Sequence, residues 1–237
     1  MKPAGAYRVY AAGGLFTQDE LAMNVALKEA IWRQSGGRYV LVLPQSKEPE
    51  EMEDGGAALC IRNLDLLHVF MADFVLARFE GQELDAGVVA EFMMAKWLGK
   101  PAVILRSDSR RLAGQDLDDP YNLMVRYWPR TVQVHLHSLM GYLREYLAAR
   151  AEGDGADAVE SDLAAELAAV RRGTEAMAGE IIGALDRVRE MPSPYPQSAR
   201  RQVYALARLA PGSGFADLLG EADLAAILES LEGRGTL

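Results

Sequence analysis

Five short apolar runs punctuate the first 150 residues: Tyr7–Ala12, Tyr39–Leu43, Phe74–Phe79, Ala102–Leu105 and Thr131–Leu136. They are too short for helices, and most are bounded by glycine, proline or charge, which predicts strands. The segments between them carry apolar positions at helical spacing. Leu21, Val25, Leu27 and Ile31 predict a helix that starts near Thr17, capped by that hydroxyl with Glu20 three residues on. Leu59, Leu64 and Leu67 predict a second helix. Val88, Phe92, Ala95 and Trp97 predict a third, ended by Gly99 and Pro101, and Leu139, Leu143 and Leu147 a fourth. Strand and helix alternate throughout. That pattern belongs to the α/β class, with an open parallel five-stranded sheet and helices on both faces. In such sheets ligands bind at the carboxyl ends of the strands, near the point where strand order reverses.

The pattern changes at AARAEGDGADAVESD, beyond which alanine and leucine dominate and strand signals cease. A boundary near Gly153 to Gly155 divides a first domain, 1–150, from an all-helical C-terminal extension, 151–237. Leu163, Leu167, Val170, Thr174, Met177, Ile181, Ala184 and Val188 alternate in steps of four and three, which is an a/d seam. Gly173, Gly179 and Gly183 lie inside it, each costing roughly 1 kcal/mol relative to alanine, so tertiary contacts must offset them. The seam suits packing on the first domain or pairing with another subunit's helix to build an oligomer. MPSPYPQ at 191–197 breaks the helix, and two or three short helices follow.

Charge narrows the partners. The chain carries 25 basic and 34 acidic residues, net −9, and most of the excess acid lies beyond residue 150. That balance argues against gripping nucleic acid or an anionic membrane through bulk charge. The one cysteine, Cys60, excludes an intrachain disulfide and a cysteine-based zinc cluster. His135 and His137 share a strand face without a well-placed third ligand, so no metal site is expected. No apolar run is long enough to span a bilayer, and the N-terminus lacks a secretory core, so a cytoplasmic location is expected.

Candidate chemistry gathers just after the strands. Gly13, Gly14, Phe16 and Thr17 follow the first, with Tyr10 inside it; Pro44 and Gln45 follow the second; EGQELDAG follows the third. The glycines form neither a dinucleotide fingerprint nor a phosphate loop. Carboxylates are denser: Asp65, Asp73, Asp85 and Glu91 fall within 27 residues. Asp85 is placed to cap the third helix. Glu91 lies in VVAEFMMA, where burial would demand a partner or a function, although periodicity alone leaves it on the exposed edge. Asp73 reads as a cap or turn residue.

Four segments carry a resemblance: YAAGGLFT at 10–17, IRNLDLLHVFMAD at 61–73, DAGVVAEFMMAKWLGKP at 85–101 and YNLM at 121–124. In this order, with twenty residues from Asp65 to Asp85 and six more to Glu91, residues 7–150 resemble the nucleoside 2-deoxyribosyltransferases. The resemblance implies a flavodoxin-like fold and glycosyl transfer by double displacement. It implies Glu91 as nucleophile, Asp85 as the acid opening D-x-G-x-x-x-E, and Asp65 as the acid that moves the nucleobase proton. Tyr10 would position the nucleophile, Asn122 and Met124 would reach the sugar in a neighbouring subunit's site, and Gln45, Phe16 and Gly13 would line the pocket.

The residue types suit the chemistry. N-glycosidic cleavage builds positive charge on the sugar and needs a proton for the leaving base, so two carboxyls divide the work. Attack by glutamate forms a glycosyl ester that an incoming base then resolves. No metal or cofactor is required. The implied partners are nucleosides and free nucleobases in nucleotide salvage, and a homo-oligomer, dimer or hexamer. Water as acceptor would make the same site a nucleoside or nucleotide N-glycosidase. A non-catalytic nucleotide-sensing module is a further alternative. The polar stretch 107–121 suits either a substrate loop or a solvated connection, and Arg110 and Arg111 would suit a phosphate.

Overall fold

The computed structural model describes residues 5–46, 57–81, 83–110, 122–152, 158–210 and 214–237. Strands β1 (Tyr7–Ala12), β2 (Tyr39–Val42), β3 (Phe74–Arg78), β4 (Ala102–Arg106) and β5 (Thr131–His135) form one sheet. All neighbours are parallel, in the order β2-β1-β3-β4-β5. This is the flavodoxin-like order, and its reversal lies between β1 and β3. Each strand coincides with a predicted run to within a residue. Both faces are covered: Val9, Leu41, Phe74, Leu76, Val103 and Leu105 enter one core cluster, and Tyr10, Val75, Ala77 and Ile104 enter another. Double burial is why the runs read as continuous rather than alternating.

Helix α1 (Gln18–Gln34) starts with the expected capping box between Thr17 and Glu20. Its buried stripe is Asn24, Leu27, Ala30 and Ile31, so a polar asparagine points inward and Val25 is 55% exposed. Helix α2 spans Ala57–Met71 and α3 spans Ala86–Trp97. α3 buries Val88, Phe92 and Ala95. Trp97, two residues past Ala95 and so about half a turn round the helix, faces outward. Helix α4 (Ser138–Glu152) buries no residue at all; Leu139, Leu143 and Leu147, the apolar stripe that predicted it, stay exposed.

Helix α5 (Ala158–Arg189) is 32 residues long and packs against α1, α4, β4 and β5. The boundary at Gly153 to Gly155 lies outside the described residues. Ile181, Ala184, Leu185 and Val188 are fully buried in the cluster that holds Val9 and Phe74. Arg38 and Tyr39 of β2's start bind Asp186 at 2.8 and 2.7 Å. Helices α6 (Gln197–Arg208), α7 (Phe215–Leu218) and α8 (Glu221–Gly233) follow the proline-rich break. They build a third cluster around Phe70 and Leu98, with the Phe70 and Tyr204 rings edge to face at 4.9 Å.

The amino-terminal edge of the sheet is unexpectedly ionic. Asp73 is fully buried, accepting from the Arg8 backbone N–H at 2.7 Å, Arg234 Nε at 2.7 Å and the Thr236 hydroxyl at 3.0 Å. Lys100 Nζ donates to the Ala72 carbonyl at 2.6 Å, and Lys96 Nζ to those of Lys100 and Arg130 at 2.6 and 2.9 Å. Burial, the larger cause in both, pulls each lysine down to about 7. Among the described residues no helix is long and apolar enough to cross a membrane.

Candidate active site

Tyr10 lies on the α3 side of β1, next to the switch point, and its side chain is fully buried. Its hydroxyl donates to Glu91 Oε1 at 2.5 Å and lies 3.3 Å from Asp65 Oδ1. Burial first, then the adjoining Glu91 and Asp65 carboxylates, push this phenol far above the usual tyrosine range. It is therefore a neutral donor at neutral pH. Both carboxylate oxygens sit within hydrogen-bond reach of one phenol oxygen, so they lie within about 6 Å of each other. That bound admits the roughly 5–5.5 Å at which retaining glycosidases hold nucleophile and acid.

Three elements deliver these groups. β1 brings Tyr10, α2 brings Asp65 and α3 brings Glu91, which is partly buried and not on a free edge. Asp85 caps α3: its Oδ1 accepts the Val88 N–H at 2.9 Å, and the residue is exposed. The cap fixes where α3 begins and hence which way Glu91 points, six residues on. Asn122 similarly caps the short turn Leu123–Val125, accepting the Met124 N–H at 2.9 Å. Val125 is buried in the cluster of Tyr10, Val88 and Phe92, which holds the turn beside α3 while Asn122 and Met124 face outward, Met124 69% exposed.

A second polar network lies behind the switch point on the α1 side. Arg78 donates to Asn24 Oδ1, and Asn24 Nδ2 donates to the Gly14 carbonyl at 3.0 Å and Gln45 Oε1 at 2.8 Å. Gln45 Nε2 continues to the Leu21 carbonyl at 3.2 Å. Three strand-end segments are thereby tied together through one buried asparagine. Gly13 sits against the Arg78 stem, where a Cβ would meet it at 3.4 Å. A Cβ at Gly14 would fall 1.9 Å from Glu20 Oε1, so a larger residue there would displace that carboxylate from the capping box. Phe16 is 80% exposed and donates only its backbone N–H, to Glu20. Sequence reasoning missed Arg78 and Asn24; the available signal was the asparagine lying between Leu21 and Leu27 on the inward face of α1.

The loops after β3 and β4 are latched to each other. Glu80 accepts from the Ser107 N–H and hydroxyl and from the Asp108 N–H, and Asp108 accepts from the Gly81 N–H at 3.1 Å. Arg110 chelates Asp108 through Nε and Nη2 at 2.7–3.0 Å, holding that carboxyl down at about 2. A phosphate at Arg110 would have to displace this carboxylate. Arg111 lies outside the described residues.

Residues 9–124 match the model of a family described as nucleoside 2-deoxyribosyltransferase. Among curated proteins none matches the chain. Similar solved structures include a conserved protein from Enterococcus faecalis V583, 28% identical, with 54% of this chain and 92% of that one covered and a TM-score of 0.45. A 2-deoxyribosyltransferase from Bacillus psychrosaccharolyticus is 19% identical over 55% of this chain and 85% of its own, TM-score 0.40. The 2-desoxiribosyltransferase from Leishmania mexicana is 22% identical over 51% and 86%, TM-score 0.41.

Proposed function

We propose that this protein, whose residues 9–124 match the nucleoside 2-deoxyribosyltransferase family model, moves 2-deoxyribose between nucleobases by double displacement. The observation that carries the reading is the buried Tyr10 hydroxyl held between Glu91 and Asp65. Glu91 attacks the anomeric carbon as the bond to the base breaks, and Asp65 gives the leaving base its proton. The glycosyl ester on Glu91 is then opened by the incoming base, whose proton returns to Asp65. Two inversions restore the original anomeric configuration.

Tyr10 has one proton to give, and the shorter distance assigns it to Glu91. Asp85 orients α3. Gln45, Phe16 and Gly13 border the base, and Asn122 and Met124 reach toward the sugar in a neighbouring subunit's site, so the working unit is a homo-oligomer. The proposed setting is nucleotide salvage in the cytoplasm.

A chromatographic exchange assay tests this. The protein is incubated with 2′-deoxyinosine or thymidine and excess adenine or cytosine, beside a no-acceptor control and Glu91→Ala. The expected result is a new deoxynucleoside, reduced by roughly 1000-fold or more in the variant. Free base formed equally with and without acceptor would replace transfer by hydrolysis. No turnover of nucleosides or their 5′-monophosphates would overturn the enzyme reading in favour of a sensor.

A further inference from the structure

Between Asp65 and Asp73 the chain is apolar at every position but one, His68. This histidine follows Asp65 by three residues, so the two share a face of α2, and both are half-buried. That face meets β1. The imidazole lies nearly parallel to the Tyr10 ring, with centroids 6.5 Å and planes 23° apart, inside the range of about 4.5–7 Å over which aromatic pairs attract. We propose that His68 is a positioning residue of this site, fixing the plane of the Tyr10 ring and thereby the carboxylate that receives its proton. The kinetic consequence rests on the proposed glycosyl transfer, whereas the hold on the phenol does not.

The plane matters because a phenol keeps its O–H bond close to the plane of its ring, where the oxygen lone pair stays conjugated. A hydroxyl with one acceptor at 2.5 Å and another at 3.3 Å therefore selects between them by the orientation of the ring. The selection separates the two carboxyl roles, since a hydrogen bond to a carboxylate stabilises its ionised form. Given to Glu91, the proton keeps the nucleophile ionised and directed at the anomeric carbon. Given to Asp65, it would hold ionised the very group that must carry a proton to the leaving base. One orientation of the ring serves the reaction and the other opposes it.

The last turn of α2 supplies a competing reason for a basic residue, because the negative end of the helix dipole lies there. That reason asks only for charge, and any outward rotamer would satisfy it. The stack on Tyr10 asks instead for a flat side chain. Substitution separates the two: phenylalanine keeps the plane and drops the charge, lysine keeps the charge and drops the plane, and leucine fills the space with neither. Leucine and phenylalanine also suit the apolar run around them.

Steady-state exchange kinetics of full-length His68→Phe, His68→Leu and His68→Lys test the proposal, read beside the Raman tyrosine doublet, which reports how strongly a phenol donates. The Tyr10 contribution is isolated by subtracting the spectrum of Tyr10→Phe. His68→Leu and His68→Lys are expected to lower kcat roughly 10-fold with KM changed by less than about 2-fold, and to shift the doublet toward a weaker donor. His68→Phe is expected to keep kcat within about 3-fold and to leave the doublet in place. A leucine variant with wild-type kcat and doublet would overturn the proposal. So would a lysine variant that retains kcat where phenylalanine loses it, or a loss that falls wholly in KM. If the wild type turns over no deoxynucleoside, the proposed transfer fails by itself and the doublet still decides: a shift in His68→Leu upholds the hold on the phenol, and an unchanged doublet removes it.

Discussion

At Arg78 a single guanidinium holds Asn24, Asn24 holds both Gly14 and Gln45, and three strand ends come to depend on one half-buried cation. Burial is the larger influence on Arg78 and lowers its proton affinity, with Glu80 and Glu20 opposing. Replacing it by methionine keeps the stem and removes the donor, so Asn24 and Gln45 lose their fixed orientation. Steady-state kinetics of Arg78→Met should therefore show KM for the deoxynucleoside raised roughly 10-fold and kcat changed by less than about 3-fold, with partial recovery in Arg78→Lys. A fall in kcat at constant KM would remove the positioning role. That Tyr10, Asp65 and Glu91 belong together as a candidate site was legible in the sequence, because their residue types and spacing fall in family order. Arg78 was not, because its partner lies 54 residues away and an arginine ending a strand resembles any solvated terminus.

Among the elements, strands were the most legible. In a sheet covered on both sides each apolar run ends where glycine, proline or charge meets the loop, and periodicity plays little part. Helices were legible in place but not in orientation. Val25 and Trp97 sit in apolar patterns that the fold turns outward, while Asn24 takes the inward position because Gln45 and Gly14 supply its partners. Helix α5 carries an unoffset cost at Gly173, where an added Cβ meets nothing within 4 Å. Gly173→Ala should raise stability by about 1 kcal/mol. For a chain of this size that is a rise of roughly 2–4 °C in Tm, read by calorimetry. An unchanged or lower Tm would mean that the uncovered half of α5 needs the glycine for something other than the helix.

For the whole molecule, the buried lysines beneath the sheet contribute to how stability varies with pH above neutrality. Lys96 and Lys100 titrate near 7 in the native state and near 10.5 when exposed. Between those values the unfolded chain binds more protons than the native one, so unfolding becomes less favourable as pH rises. The contribution is lowest below about 7 and complete above about 10.5. Urea midpoints should rise from pH 7 to pH 9, and Lys100→Met should flatten the rise. A midpoint that falls over this range would contradict the assignment. None of this was visible in the sequence, since Lys100, Asp73, Arg130 and Thr236 meet only when α8 returns to the floor of the sheet.

The burial of α5 against the sheet also sets an order of events during synthesis. Arg38 and Tyr39 wait for Asp186, 148 and 147 residues later, and Val9, Leu41 and Phe74 wait for Ile181 to Val188. The segment that matches the family is complete at residue 124, yet the part of this sheet face that α1 does not cover waits about 60 further residues for α5. At 5–20 residues per second that is roughly 3–12 s on the ribosome. During that interval the nascent chain offers the apolar strip beside α1 to chaperones, and its native contacts have a correspondingly high order. Folding of the first domain is thus timed by the arrival of a helix outside it.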